Sequence, residues 1–274
     1  MRFDEIMGKY LALCKNPSVH SLSKRILSEF GHLDCQDVRS ELIEDYKIKR
    51  LDLAKPATVN RELAIIKRIM NLATRWGYTE RNPASEVQYC KGVAKRTRWL
   101  TESEEQSLLT FSPEWLRNII IVAINTGLRR GELLNLTWED INLNDAYIFV
   151  KMSKNGDQRC VPINKRVYAT LESLRTFSSQ SYSQTFSSYP VFTHDGFAIK
   201  PRILEYYFTR SAKMARLNDL HFHDLRHTFA TRLIQAGVDL YRVQLLLGHR
   251  TLAITQRYAH HSLNTLRGAI DMLG

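Results

Sequence analysis

Long apolar runs are missing from this chain of 274 residues. Nothing approaches the ~20 consecutive positions that a bilayer-crossing helix needs, so no membrane partner is expected. Cysteine is scarce. Cys14, Cys35, Cys90 and Cys160 are scattered, and no two share a metal-ligand spacing such as C-x-x-C. That excludes the usual structural zinc motifs and suits reduced thiols in a cytosolic protein. Neither a metal nor a cofactor is implied. The opening Met1-Arg2-Phe3-Asp4-Glu5 lacks the basic-then-apolar layout of a signal peptide, and a cytoplasmic location is expected. No internal repeat is visible.

Negative charge is also in short supply. The chain holds 39 Lys and Arg against 28 Asp and Glu, a formal net charge of +11. Such a field favours a polyanion, because neutralising phosphates releases counterions from DNA. Residues 1–98 carry 19 Lys and Arg against 12 Asp and Glu, so the excess leans towards the N-terminal part. Charge alone fits acidic proteins and membrane surfaces as well.

Apolar spacing predicts a mainly α fold with a small β-sheet. The clearest helix lies around Pro56–Gly77, where Leu63, Ile66, Ile69, Met70 and Ala73 recur on one face. Pro56 sits near its start, Thr58 is a candidate cap with Glu62 nearby, and Gly77 is a stop. Arg61, Lys67, Arg68 and Arg75 decorate it, either as a solvated face or as a helix lying on DNA phosphates. The basic stretch 89–99, with Lys91, Lys95, Arg96 and Arg98, reads as a linker crossing a phosphate backbone. Thr101 and Glu104 form a capping box that opens the next domain. Ala146–Met152 and Gln158–Ile163 are β-rich runs around Asn155-Gly156, a hairpin signal. Phe177–Tyr189, rich in Ser, Thr and Gln, is expected to be a mobile surface loop.

Four local patterns carry chemistry. In Thr126-Gly127-Leu128-Arg129-Arg130-Gly131-Glu132, Arg129 and Glu132 are three apart, so the acid can hold a guanidinium that faces a phosphate. An ordinary intrahelical ion pair has the same spacing. Lys154 stands beside the hairpin tip, where most lysines are simply solvated. In His221-Phe222-His223-Asp224-Leu225-Arg226-His227, the residues His223, Arg226 and His227 fall along one helix face. A histidine next to an arginine can exchange a proton beside a bound anion. Alternatively His227 fills a polar core site, or His223 and His227 bind a metal, although Arg226 would repel the cation. Finally, Gly248 ends one helix and leaves His249 at a turn, and Tyr258 follows on the next helix. Most tyrosines only pack. Together the set supplies what phosphoryl transfer without Mg²⁺ requires: fixed cations, a leaving-group acid and an in-line nucleophile.

In that order the residues closely resemble the signature of the tyrosine recombinases, the family of phage integrases and chromosome-dimer resolvases. Arg129 in T-G-L-R-R-G-E matches its first arginine and Lys154 its hairpin lysine. His223 and Arg226 match its H-x-x-R, His249 in L-G-H-R its late histidine, and Tyr258 in T-Q-R-Y-A-H its nucleophile. Glu132 matches the supporter of the first arginine. The resemblance covers roughly Trp99 to the end, and T-V-N-R-E-L-A-I-I-K-R-I-M-N-L-A looks like the family's core-site-binding domain. It implies a helical core-site-binding domain over residues 1–88, a linker over 89–99, and an α+β catalytic domain over 100–274 with a tail over 259–274. Arg129 and Arg226 would clamp the scissile phosphate, and Tyr258 would form a 3′-phosphotyrosine. Lys154 would protonate the leaving 5′-oxygen, His223 would accept a proton, and His249 would donate to the phosphate. The implied partners are double-stranded DNA recombination sites, bound by a homotetramer on two duplexes, with accessory DNA-bending factors. The implied setting is a bacterial host cell or its nucleoid.

The resemblance leaves several roles open: integration or excision of a mobile element, chromosome- or plasmid-dimer resolution, or the related type IB topoisomerase chemistry. Many phage integrases carry an extra arm-site-binding domain before the core-binding helices. Here either arm sites are not needed or that domain has been removed. A non-enzymatic DNA-binding regulator and a histidine-metal nuclease are rivals from other classes. The regulator predicts no covalent adduct, and the nuclease predicts inhibition by chelator.

Overall fold

The computed structural model describes residues 1–91, 98–151, 158–181 and 188–258, and the chain divides into two compact units, Met1–Lys95 and Arg96–Gly274. In the first unit four helices follow one another: α1 (Phe3–Leu13), α2 (Pro17–Phe30), α3 (Ser40–Leu51) and α4 (Pro56–Arg75). Helix α4 is the spine. Val59, Leu63, Ile66, Ile69, Met70 and Ala73 are all buried, facing Phe3, Ile26, Phe30 and Ile43 of the other helices. Each fully buried side chain of this size contributes about 1.5–3 kcal/mol, which offsets the cost of ordering the chain.

The start of α4 differs from expectation. Lys55, not Thr58, occupies the N-cap, and no side chain caps the helix; Pro56 at the first position needs no N–H partner. Glu62 is fully buried, not a surface cap. Arg50 donates from Nε and Nη2 to its two oxygens at 2.9 Å each, and the Tyr46 hydroxyl donates at 3.0 Å. A buried carboxylate is tolerable only with such a complete set of donors.

The second unit opens with α5 (Glu102–Thr110), where Thr101 and Glu104 form the expected capping box. It continues with α6 (Glu114–Thr126), α7 (Arg130–Leu134), β1 (Ile141–Asn142), β2 (Tyr147–Val150) and β3 (Arg159–Pro162). Helix α8 (Lys165–Ser181) and the small hairpin of β4 (Thr193–His194) and β5 (Phe197–Ala198) come next. Then follow α9 (Pro201–Met214), α10 (Asp224–Gln235), α11 (Leu240–Leu247) and α12 (Leu252–Thr255). The sheet is antiparallel in the order β1-β2-β3, with Ile148 opposite Val161 and Val150 opposite Arg159. The hairpin is therefore present, with shorter strands than the sequence suggests, and its tip lies outside the described residues. Alternation along β2 buries Ile148 and Val150 against the core that α6 fills with Leu116, Ile119, Ile120 and Ala123.

A further expectation is overturned. Phe177–Ser181, assigned to a surface loop, continues α8. A helix already begun by upstream residues extends at little cost per residue, so a Ser- and Gln-rich composition does not end it. No helix among the described residues is long and apolar enough to cross a membrane, and all four cysteines are free thiols.

Candidate active site

The site in the second unit is assembled around two left-handed glycines. Gly127 (φ +64°) closes α6, and Gly248 (φ +64°) closes α11. Both conformations suit a residue without a Cβ. Beyond Gly127 the chain turns so that Arg129 becomes the N-cap of α7 and Glu132 its third residue. Glu132 accepts from the Arg129 backbone N–H and from Arg129 Nη1, both at 2.8 Å. The pair is thus built on a helix start, not within a helix.

Glu132 has a second arginine. Arg159, the first residue of β3, donates from Nη2 to Oε2 at 2.8 Å and from Nη1 to Oε1 at 3.2 Å. Burial by itself would raise the Glu132 carboxyl. The guanidinium of Arg159, followed by the Arg129 N–H and side chain, overrides that and holds it at about 2.

Arg226 on α10 is 3% exposed. It donates from Nη1 to the Gly127 carbonyl at 2.6 Å and from Nη2 to the Leu247 carbonyl at 2.7 Å. Arg129 Nη2 donates to the next carbonyl, that of Gly248, at 3.1 Å. Arg159 Nε donates to the preceding one, that of Leu246, at 3.0 Å. Three consecutive carbonyls at the C-terminus of α11 therefore each take one arginine. A helix end leaves those oxygens without intrahelical partners and carries partial negative charge, so cations gather there. Burial, and then the charge of Arg129, push Arg226 down to about 9. An arginine does not give up its proton at ordinary pH; the direction reflects lost hydration and the like charges of Arg129 and Arg159, partly offset by Glu132.

His249 follows Gly248 directly, half-buried, with Nδ1 2.9 Å from the Thr255 hydroxyl. Tyr258 does not sit on the expected helix. Helix α12 spans only four residues, and Tyr258 ends a 3₁₀ turn, Gln256–Tyr258. Its ring is 6% exposed in a small cluster with Phe229, Ala230, Val243 and Leu247, and its hydroxyl lies 2.5 Å from His227 Nδ1. His223, exposed at the N-cap of α10, places its ring edge against His227 with centroids 5.0 Å apart.

The fold thus gathers Arg129, Glu132, Arg226 and His249 around one turn, with Tyr258, His227 and His223 linked in a row beside it. Lys154 lies outside the described residues, as do Lys95 and Arg96. Arg98 does not present an uncommitted guanidinium: it is bound to Glu104 and to the Trp99 carbonyl. In the first unit Arg61 and Arg68, seven apart on α4, are exposed on one face. Lys67 sits 4.5 Å over the ring of Tyr89, and Lys91 is exposed. One site residue escaped the sequence reading. Arg159 showed no signal, its partners being 27 and 87 residues away. The i,i+4 spacing flagged His227, but not its contact with Tyr258.

Residues 98–264 match the model of the phage integrase family. The tyrosine recombinase XerC of Lacticaseibacillus casei is 30% identical over 253 residues, 88% of this chain and 82% of its own length. A shufflon-specific DNA recombinase of Escherichia coli is 32% identical over 208 residues, 74% of this chain and 50% of that longer protein. The solved structure of the Tn1549 transposon integrase with a circular intermediate DNA has a TM-score of 0.83 to this fold. It is 20% identical, and the match covers 100% of both chains.

Proposed function

The chain belongs to the phage integrase family, and from that premise we propose that it cuts and rejoins DNA through Tyr258, with Arg129 and Arg226 as its phosphate clamp. It is a site-specific DNA recombinase. One observation supports the residue assignment above all: both guanidiniums donate to neighbouring carbonyls, of Gly248 and Leu247, so one rigid turn carries both.

In the proposed step the scissile phosphate meets the remaining donors of Arg129 and Arg226, which hold its non-bridging oxygens as charge builds in the transition state. Tyr258 Oη bonds to phosphorus while the bond to the 5′-oxygen breaks. The phenolic proton passes to a histidine, and Lys154 supplies one to the departing 5′-oxygen. The hydroxyl rests on His227 in the structure, and the exposed His223 is the acceptor assigned on the DNA side. His249 donates to the phosphate. The 3′-phosphotyrosyl ester keeps the bond energy, so a new 5′-hydroxyl can reverse the step without ATP.

The first unit is assigned to core-site binding, with Arg61, Lys67, Arg68 and Lys91 against phosphates. The working assembly is a homotetramer on two DNA sites, as the family resemblance implies. The biological role assigned is integration and excision of a mobile element. Dimer resolution is the second reading, favoured by the similarity to XerC over 88% of the chain. A two-site plasmid assay separates them by whether recombination also joins sites on two molecules, as integration requires, or is confined to sites on one.

A nicked "suicide" site carrying one crossover tests the chemistry. Wild-type protein should form a denaturation-resistant adduct with EDTA present, and Tyr258→Phe should form none while binding the same DNA. An adduct with the Phe variant, or one that needs a divalent metal, would overturn the assignment.

A further inference from the structure

We infer that Arg159 is a positioning residue for strand cleavage: it locks Glu132 to the C-terminal turn of α11, so that Arg129, Arg226 and His249 face one phosphate in a single arrangement. The inference rests on the reading of the site given above and extends it to a residue outside the signature.

Three observations carry it. First, Arg159 is not placed to meet DNA. Its side chain is 9% exposed, and each guanidinium nitrogen already has a protein acceptor: Nε the Leu246 carbonyl, Nη1 and Nη2 the two oxygens of Glu132. Second, it ties the Glu132 carboxylate to the end of α11, alongside the link that Arg129 makes from Glu132 to the Gly248 carbonyl. The Glu132 carboxylate holds Arg129, whereas the Leu246 carbonyl lies one residue before the one that holds Arg226 and two before the one that holds Arg129. A planar fork bonded on two sides fixes the distance between them, which a single-point ammonium cannot do. Third, the backbone is shaped around it. A Cβ at Gly248 would come within 2.9 Å of Nη1 and 3.1 Å of Cζ, so the turn that precedes His249 closes directly on the guanidinium. Arg159 is also the return strand's partner of Val150, at the base of the hairpin that carries Lys154 in sequence.

A misplacement of about 1 Å at a reacting centre can cost about a hundredfold in rate. Arg159→Lys, which keeps a cation beside Glu132 but loses the fork, should therefore slow Tyr258 adduct formation on the suicide site by about 10–100-fold. DNA affinity should stay within about threefold. The deciding measurement is the ratio of adduct rates on two substrates, one with the ordinary phosphodiester and one with a neutral methylphosphonate at the scissile position. The neutral group removes the charge that the two clamping arginines must stabilise. If Arg159 acts by aligning them, the variant loses much less on the methylphosphonate, and its methylphosphonate-to-phosphodiester ratio rises at least about tenfold over wild type. A reduced folded fraction lowers both rates equally and leaves the ratio unchanged, so an unchanged ratio overturns the inference, as does an unslowed Lys variant. Arg159→Met is the second variant and should shift the ratio further in the same direction. A wild-type protein that forms no Tyr258-dependent adduct would instead overturn the underlying assignment of the site, and this inference with it.

Discussion

A carboxylate enclosed by protein should resist ionising, yet Glu132 is held at about 2, because burial is outweighed by Arg159 and by the N–H and guanidinium of Arg129. The consequence for stability has a definite sign. Above the ordinary carboxyl value of 4.5 the group is ionised in both folded and unfolded chains, and its contribution is complete. As pH falls from 4.5 towards 2, the unfolded chain takes up a proton that the folded site refuses, and the contribution is lost. Wild type should therefore melt well above Glu132→Gln at pH 7, and the gap between their Tm values should narrow steadily below pH 4.5. A gap that is constant over that range would show that the arginines do not hold the charge. Arg226 is the complementary case, a buried cation that loss of hydration, and then the like charge of Arg129, push below its ordinary value.

At the level of elements, the site depends on how α6 and α11 end. An alanine at Gly127 would place its Cβ 2.3 Å from Phe229 Cδ1 and 2.9 Å from Leu247 Cδ2, inside the cluster that holds Tyr258. It would also impose a left-handed backbone on a residue with a Cβ, at about 1–2 kcal/mol, with a further 1–3 kcal/mol for overpacking. At Gly248 the backbone cost is the same, but the neighbour is the Arg159 guanidinium, not a packed ring. Gly127→Ala should accordingly lower Tm by several degrees more than Gly248→Ala. Gly248→Ala should cost more in adduct formation than its stability explains. Thermal melts of the two variants beside the suicide-site assay check both; equal Tm losses would refute the packing argument.

For the molecule as a whole, the separation into two units has a physical basis. Every member of the N-terminal core, from Phe3 to Val87, lies within the first unit, and so does the buried Arg50–Glu62 pair. A unit of about 90 residues can bury enough surface to fold independently. The isolated fragment of residues 1–95 should therefore unfold cooperatively on heating, and, if it has the DNA-binding role proposed for it, its affinity for DNA should fall linearly in log–log form as salt rises. A broad, uncooperative melt would show that its core is incomplete without the rest of the chain.

Local chemistry determined much of this protein from the sequence alone. The spine helix from Pro56, the capping box at Thr101, the β2–β3 hairpin and the glycine turn before His249 follow from spacing and backbone preferences acting over a few residues. The order of Arg129, His223, Arg226, His249 and Tyr258 was legible through its resemblance to the tyrosine recombinase signature. What only the tertiary structure decided are contacts between residues far apart in the chain: Glu62 turned inward to Arg50, Tyr258 on His227, and Arg159 joining Glu132 to Leu246. Ion pairs and hydrogen bonds carry no periodicity, and their partners are chosen by packing, so no local pattern announces them.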